Sequence, residues 1–144
     1  MIRHAGLVAR RLGGRWRGAL IEGPSGGGKS DLALRLLELG WRLVADDRVR
    51  LWAADGRLYG RAPEALRGLI EARGLGVLRA AEIPFAEVVL LARPGTPDRL
   101  PEPHSEELLS VPVPVLVVDP LQASATAKFS RAMEAFAAAH KGRM

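Results

Sequence analysis

Eight consecutive residues near the start of the chain have the pattern of a phosphate-binding loop. They are Gly23, Pro24, Ser25, Gly26, Gly27, Gly28, Lys29 and Ser30, which fit G-x-x-x-x-G-K-[ST]. Glycines let successive backbone N–H groups turn towards phosphate oxygens, and a helix that starts at the loop favours the anion. We therefore expect Lys29, an exposed loop residue and one of three lysines, to reach the β- and γ-phosphates, and the Ser30 hydroxyl to bind Mg²⁺. The alternative is a glycine-rich turn without a ligand.

Two adjacent carboxylates, Asp46 and Asp47, follow the next predicted strand. In proteins with such a loop, an acidic residue at a strand end holds Mg²⁺ or its water. A second carboxylate beside a metal can accept a proton from a hydroxyl group as a general base. The pair therefore predicts a metal ligand and a base. Two alternatives stay open, because aspartate is common in turns and because Asp119, at another strand end, is a second candidate for the metal.

The segment Glu71–Val77 (EARGLGV) places a glycine on each side of Leu75. Such glycines indicate a loop that passes close to another backbone or to a ligand. Glu71 would then add a further carboxylate to the metal. The alternative is a solvated glutamate before a turn.

The composition limits the classes to which the chain can belong. With 144 residues, 48% of them hydrophobic and 26% charged, we expect one soluble domain spanning residues 1–144. Cysteine is absent and the three histidines lie far apart, which excludes disulfides and a spaced zinc motif. No run approaches the roughly 18 apolar residues of a membrane span, so we expect a cytoplasmic protein with no membrane partner. The net charge of +5 does not by itself indicate nucleic acid, and we predict no nucleic-acid partner.

Hydrophobic periodicity predicts strands that alternate with helices. The strand before the loop is Gly18–Glu22, and the helix after it is Ser30–Leu39, which Gly40 ends because glycine tolerates a left-handed conformation. The other predicted elements are a strand at Trp41–Ala45, a hairpin of Val49–Ala53 and Arg57–Tyr59 turning at Asp55-Gly56, strands at Glu87–Ala92 and Val113–Val118, and a helix at Ala123–His140. We predict a turn over Ala9–Gly18 and a proline-rich loop over Arg93–Pro103. The fold class is therefore α/β, with a mixed sheet flanked by helices.

These motifs resemble the catalytic domain of the HPr serine kinase/phosphorylase family, bacterial enzymes that act on the phosphocarrier protein HPr. The resemblance is carried by Ile21–Val49, which holds the loop and an Ala-Asp-Asp sequence, and by Glu71–Val77 after it. It continues through Asp98–Pro103 (DRLPEP) and Asp119–Lys128 (DPLQASATAK), which are similar to the short version of the enzyme, without its N-terminal domain. The loop alone occurs in many families, whereas this order of motifs is specific.

The resemblance implies an ATP-dependent serine kinase whose substrate is an HPr-like carrier protein, and the family name adds a phosphorylase reaction. ATP and Mg²⁺ are the implied cofactors. Gly23–Ser30 would bind the nucleotide phosphates. One aspartate of the pair, which we expect to be Asp47, would activate the substrate serine as base, and Asp46 would bind the metal with Ser30 and Glu71. The alternatives are a small-molecule kinase with the same loop and a sensor or adaptor that binds ATP without transfer.

Two further residues and an assembly are implied by the resemblance alone. His4, on the first strand, would lie near the transferred phosphate, and Arg99 would bind it. A homo-oligomer, by resemblance a hexamer, would cover the edges of the sheet. The candidate contact surfaces are the turn at Trp16 and a helical stripe of Phe129, Met133 and Phe136, although that stripe also fits packing on the chain's own sheet.

Overall fold

The computed structural model describes residues 1–24 and 28–141, with side chains as far as residue 136. Eleven strands, two α-helices and one 3-10 turn lie within those ranges. The strands are β1 (Ile2–Arg3), β2 (Ala5–Leu12), β3 (Arg15–Glu22), β4 (Arg42–Ala45), β5 (Val49–Ala54), β6 (Arg57–Arg61), β7 (Leu69–Ala72), β8 (Gly76–Arg79), β9 (Ala86–Pro94), β10 (Ser105–Leu108) and β11 (Val111–Val118). The helices are α1 (Lys29–Glu38) and α2 (Ala125–Lys141), and the 3-10 turn covers Glu64–Leu66. Neither α-helix is both long enough and apolar enough, over the described residues, to cross a membrane.

Nine strands form one mixed sheet, which confirms the predicted α/β class. Their order is β1-β5-β6-β9-β3-β2-β4, with β11 added to β9 and β10 added to β11. The pairs of β9 with β3 and with β11 are parallel, and the other pairs are antiparallel. Strands β7 and β8 form a separate hairpin. The carboxyl ends of β3, β9 and β11 therefore point to the same edge of the sheet.

Both helices cover the same face of the sheet. Leu32 and Leu36 of α1 and Phe129 and Met133 of α2 are fully buried in one cluster, where Phe129 meets the Trp41 ring edge-on at 5.4 Å. A second cluster fills the opposite face, and strands β5, β6, β10 and β11 supply many of its side chains. The predicted stripe on the last helix thus packs on the chain's own sheet. Truncating Phe129 to alanine would cost about 3–5 kcal/mol.

The predicted turn over Ala9–Gly18 is wrong. Strand β2 continues to Leu12 and β3 begins at Arg15, so that only Gly13 and Gly14 form the turn, with φ of 61° and 78°. Positive φ at both residues matches the twist of a two-residue hairpin. The four arginines and the glycines between Ala9 and Gly18 interrupt the hydrophobic alternation, so that the sequence pattern does not reveal the two strands.

The predicted proline-rich loop starts later than expected. Strand β9 runs through Arg93 and Pro94, and the loop begins at Gly95. Strand β11 pairs with β9 only from Val115 onwards. Before that point Pro112 and Pro114 lack the N–H groups that a ladder to β9 would need, and β11 pairs with β10 on its other side. The turns at Gly40 and at Asp55-Gly56 have the predicted positive φ.

Candidate functional site

The predicted phosphate loop connects β3, which ends at Glu22, to α1, which begins at Lys29. Ser25, Gly26 and Gly27 lie outside the described residues. At the start of the loop, a side-chain carbon on Gly23 would lie 3.3 Å from Pro94. At its end, Gly28 has φ of 92° and a carbon added there would lie 3.2 Å from Pro120. Two prolines therefore hold both ends of the loop, and neither glycine has room for a larger residue.

Lys29 is buried, although we expected an exposed loop residue. It is the first residue of α1, its exposed fraction is 8%, and its Nζ has no hydrogen-bond partner among the described residues. An ammonium group without a partner is costly to bury. Its position at the positive N-terminal end of a helix makes an anion such as phosphate the group that fits there.

Ser30 and Asp46 meet beside that lysine. The Ser30 hydroxyl donates to Oδ1 of Asp46 at 3.0 Å, and Oδ2 of Asp46 accepts from the backbone N–H of Glu71 at 3.0 Å. The Asp46 carboxylate thus connects α1 to β7. Hydroxyl and carboxylate oxygens are the donors that Mg²⁺ prefers, and Mg²⁺ commonly keeps several waters, so this pair fits the metal. Within residues 1–24 and 28–141, no group of three or more acidic or histidine side chains is arranged to hold a metal.

Asp47 contacts His4, which lies 43 residues earlier in the chain. Nε2 of His4 donates to Oδ1 of Asp47 at 2.6 Å, and the two side chains are 53% and 55% exposed. His4 lies between β1 and β2, and not on the first strand as expected. Asp47 has φ of 70°, and the Arg48 N–H bonds the Asp46 carbonyl at 2.8 Å across it. This hydrogen bond closes a three-residue turn with Asp47 at its centre. A positive φ at that position is uncommon for residues other than glycine, and it directs the Asp47 carboxylate towards solvent and His4.

The side chains of three other predicted residues take no part in these contacts. Arg99 lies on the exposed loop after Gly95 and makes no hydrogen bond or ion pair with any described residue. Glu71 reaches Asp46 through its backbone, and its carboxylate is exposed. The Asp119 carboxylate accepts from the Leu121 N–H at 2.9 Å, so it closes a turn before α2, whereas Asp46 bonds Ser30.

The glycines at the third motif serve a hairpin. Gly74 lies in the turn between β7 and β8, and Gly76 begins β8. Their φ values are 90° and 118°, and a side-chain carbon at either position would meet nothing within 4 Å. The expected close approach to another backbone is therefore absent in the described structure. The glycines are needed for their left-handed backbone conformation.

Sequence reasoning missed four charged residues beside the loop. Glu22 accepts from Arg3 and also from Arg93 at 3.2 Å, and Arg93 donates to Glu106 at 2.5 Å. Burial by itself would raise the pKa of Glu22, but its bonds to Arg3 and Arg93 outweigh burial and hold that pKa below its usual range. The bond to Glu22 raises the pKa of Arg3. A carboxylate at the end of the apolar run Ala19–Ile21 was the one signal of this network in the sequence.

Fold and site together define an α/β protein with a phosphate-loop motif between a strand and a helix and carboxylates at the next strand end. Residues 15–89 match the model of the family described as HPr Serine kinase C-terminal domain. The match covers more than half of the chain, and the chain belongs to this family.

Individual relatives agree with the family. The chain is 42% identical over 118 residues to an HPr kinase/phosphorylase of Leptothrix cholodnii, which covers 70% of this chain and 36% of the relative. It is 51% identical over 61 residues to an HPr kinase/phosphorylase of Clostridium beijerinckii, covering 42% of this chain and 20% of the relative. It thus spans about a third or less of these curated relatives.

A solved structure matches this chain over nearly the full length of both proteins. The Hpr(Ser) kinase/phosphatase from Coxiella burnetii superposes with a TM-score of 0.74 at 26% identity, covering 92% of this chain and 97% of that chain. The resemblance stated from the sequence motifs is therefore confirmed at the level of family and fold.

Proposed function

We propose that the chain transfers a phosphoryl group between ATP and a serine of an HPr-like carrier protein. The observation that carries the proposal is the buried Lys29 ammonium, which has no partner among the described residues and lies next to the Ser30–Asp46 pair. A γ-phosphate is an anion that would satisfy this group, and a cation there stabilises charge that moves during transfer. The names of the relatives, HPr kinase/phosphorylase and Hpr(Ser) kinase/phosphatase, support HPr and serine as the substrate.

Each side chain has a distinct task in this proposal. Ser30 and Asp46 hold Mg²⁺, which when bound neutralises charge on the phosphates. Asp47 accepts the proton of the substrate hydroxyl, while the serine oxygen forms a bond to the γ-phosphorus and the bond to the β,γ-bridging oxygen breaks, with its electron pair leaving on ADP. Because the His4 ring donates to Asp47, it fixes the orientation of that carboxylate. In the reverse direction the phosphoryl group returns to ADP, the bond between phosphorus and the serine oxygen breaks, and Asp47 returns the proton to that oxygen.

Glu71 and Arg99 are proposed for roles that need movement or a substrate. Glu71 lies on β7, where its backbone N–H bonds Asp46, and we propose that its exposed carboxylate would join the metal through water. Arg99 belongs to the loop that follows β9, and Pro94, the last residue of that strand, packs beside Gly23. Arg99 is unpaired within the described residues, and we propose that it binds the phosphate that is transferred.

The test is transfer of labelled γ-phosphate from Mg²⁺-ATP in the presence and absence of a purified HPr-like carrier. We expect label on one serine of the carrier, and no label when that serine is replaced by alanine. The Lys29→Met variant provides the matched enzyme control. Label on a small metabolite, or ATP binding with no transfer to the carrier, would overturn the proposal in favour of a small-molecule kinase or an ATP-binding adaptor.

A further inference from the structure

A network of two arginines and two glutamates lies beside the candidate site and contains none of its residues. The Glu22 side chain is only 14% exposed and bonds both Arg3 and Arg93. Glu106 is placed on the outer side of the same arginines, 2.5 Å from Arg93 and 3.6 Å from Arg3. The charges of the four side chains balance. Glu22 is therefore held from two sides and has one preferred orientation.

Each partner of Glu22 is next to a residue that belongs to the site or packs against it. Arg3 precedes His4, and Arg93 precedes Pro94, which packs against Gly23. Glu22 itself precedes Gly23. One carboxylate thus joins the segment that carries the histidine to the segment that starts the phosphate loop.

His4 itself belongs to no backbone ladder. Arg3 pairs with Val49 in β5, and Ala5 pairs with Glu22 in β3, so His4 lies in the break between two ladders. The described part of the chain gives its ring one hydrogen bond, to Asp47. The Arg3–Glu22 ion pair spans this break and fixes the residue before the histidine.

We propose that Glu22 is a positioning residue, whose clamp on Arg3 holds His4 against Asp47 at a fixed place beside the phosphate loop. The inference rests on the proposed phosphoryl transfer for its kinetic consequence. Because a displacement of about 1 Å can cost about 100-fold in rate, loss of the clamp should lower kcat about 10- to 100-fold. The KM for ATP should change less than about twofold, because Lys29 and Ser30 are held by α1.

The experiment compares Glu22→Gln with Glu106→Gln in the full chain. Both variants remove one carboxylate from the network, but only Glu22 joins the site segments, since the Glu22 bonds to Arg3 and Arg93 remain when Glu106 is replaced. NMR spectra of the histidine rings report the His4–Asp47 contact without any substrate. Loss of the His4 signals in His4→Asn assigns them, and Asp47→Ala gives their position when the contact is absent.

We expect the His4 signals of Glu22→Gln to move towards those of Asp47→Ala and kcat to fall, whereas Glu106→Gln changes neither. Glu22→Asp keeps the charge and should therefore show a smaller signal shift and a smaller fall in kcat than Glu22→Gln. If Glu22→Gln does not fold, Arg3→Gln should show the same signal shift and the same fall in kcat. Unchanged His4 signals in a folded Glu22→Gln or Arg3→Gln protein, or an equal shift in Glu106→Gln, would overturn the positioning role. Failure of the proposed function can be told apart from failure of the positioning role. If the proposed function is wrong, the unaltered chain transfers no phosphoryl group to the carrier, and the NMR comparison still tests the position of His4.

Discussion

Replacing Lys29 with methionine should make the nucleotide-free protein more stable and the enzyme inactive. Methionine has nearly the length of lysine but carries no charge, so it fills the same space without the buried ammonium. A buried polar group without a partner costs about 1–3 kcal/mol, and a charged one costs more. The exposed fraction of Lys29 is 8% and its Nζ lacks a partner among the described residues, so we expect the free energy of unfolding to rise by about 1–3 kcal/mol. For a domain of this size, the Tm would rise by about 2–10 °C.

Thermal and denaturant unfolding, with and without Mg²⁺-ATP, measure both consequences. At a ligand concentration of about 100 times its Kd, the nucleotide should stabilise the unaltered chain by about 2.7 kcal/mol, and it should stabilise Lys29→Met much less. Transfer to the carrier should fall about 100-fold or more. Lys128→Met is the matched control, because Lys128 is exposed and its ammonium group donates to Gln122 at 2.9 Å. Its stability should stay within about 0.5 kcal/mol and its transfer should be unchanged.

Two results would refute this reasoning. If Lys29→Met unfolds more easily than the unaltered chain, the ammonium is stabilised in the nucleotide-free protein and is not held ready for an anion. If Mg²⁺-ATP stabilises the variant and the unaltered chain equally, Lys29 does not bind the nucleotide.

Three further expectations concern the aspartates, acid stability and assembly. Asp47→Asn should lower kcat about 100- to 10,000-fold while ATP binding persists. Asp46→Asn should instead raise the Mg²⁺ concentration needed for the half-maximal rate. If kcat stays within about twofold of normal in both variants, the assignment of the two aspartates is wrong. Because the pKa of Glu22 is lowered, its ionised form stabilises the fold above the pKa of an unfolded glutamate, and that stability is lost as pH falls through its folded-state pKa. The unaltered chain should therefore lose more unfolding free energy between about pH 5 and about pH 3 than Glu22→Gln, and equal slopes in acid titrations would show that the network contributes nothing. Light scattering should give a mass that is a multiple of 15.5 kDa, and a mass near 15.5 kDa at every dilution would establish a monomer.

Local sequence patterns predicted those parts of the fold that depend on neighbouring residues. The strand before the phosphate loop and the helix after it agree with β3 and α1 to within a few residues. The turn at Asp55-Gly56 was predictable because this dipeptide tolerates positive φ at both positions. Both cases need only information from a few adjacent residues.

Strands that depend on distant partners were not predictable in the same way. Strand β10 has the sequence Ser-Glu-Glu-Leu, whose polar residues give no strand pattern, and it forms because β11 offers it an edge. The prolines in β11 direct that pairing by denying N–H groups to β9. The hairpin of β7 and β8 is likewise absent from the predictions, because its second strand is exposed and lacks a buried face.

The candidate site shows the same division between residue types and their arrangement. The phosphate loop and the aspartate pair could be found because the residues that define each motif are adjacent in the sequence. The contact of His4 with Asp47 depends instead on the topology of the sheet. Strands β1 and β2 are consecutive in the chain, and they pair with β5 and β4 respectively. His4 therefore lies where the chain leaves β5 for β4, and the Asp46–Arg48 turn lies opposite, where the chain passes from β4 to β5. Because both segments change partner at the same place, neither is held in a ladder, and each can bend so that its side chain points towards the other. A change of partner strand by two segments at one point is thus the structural cause of the site, and it is a property of the sheet that no local motif contains.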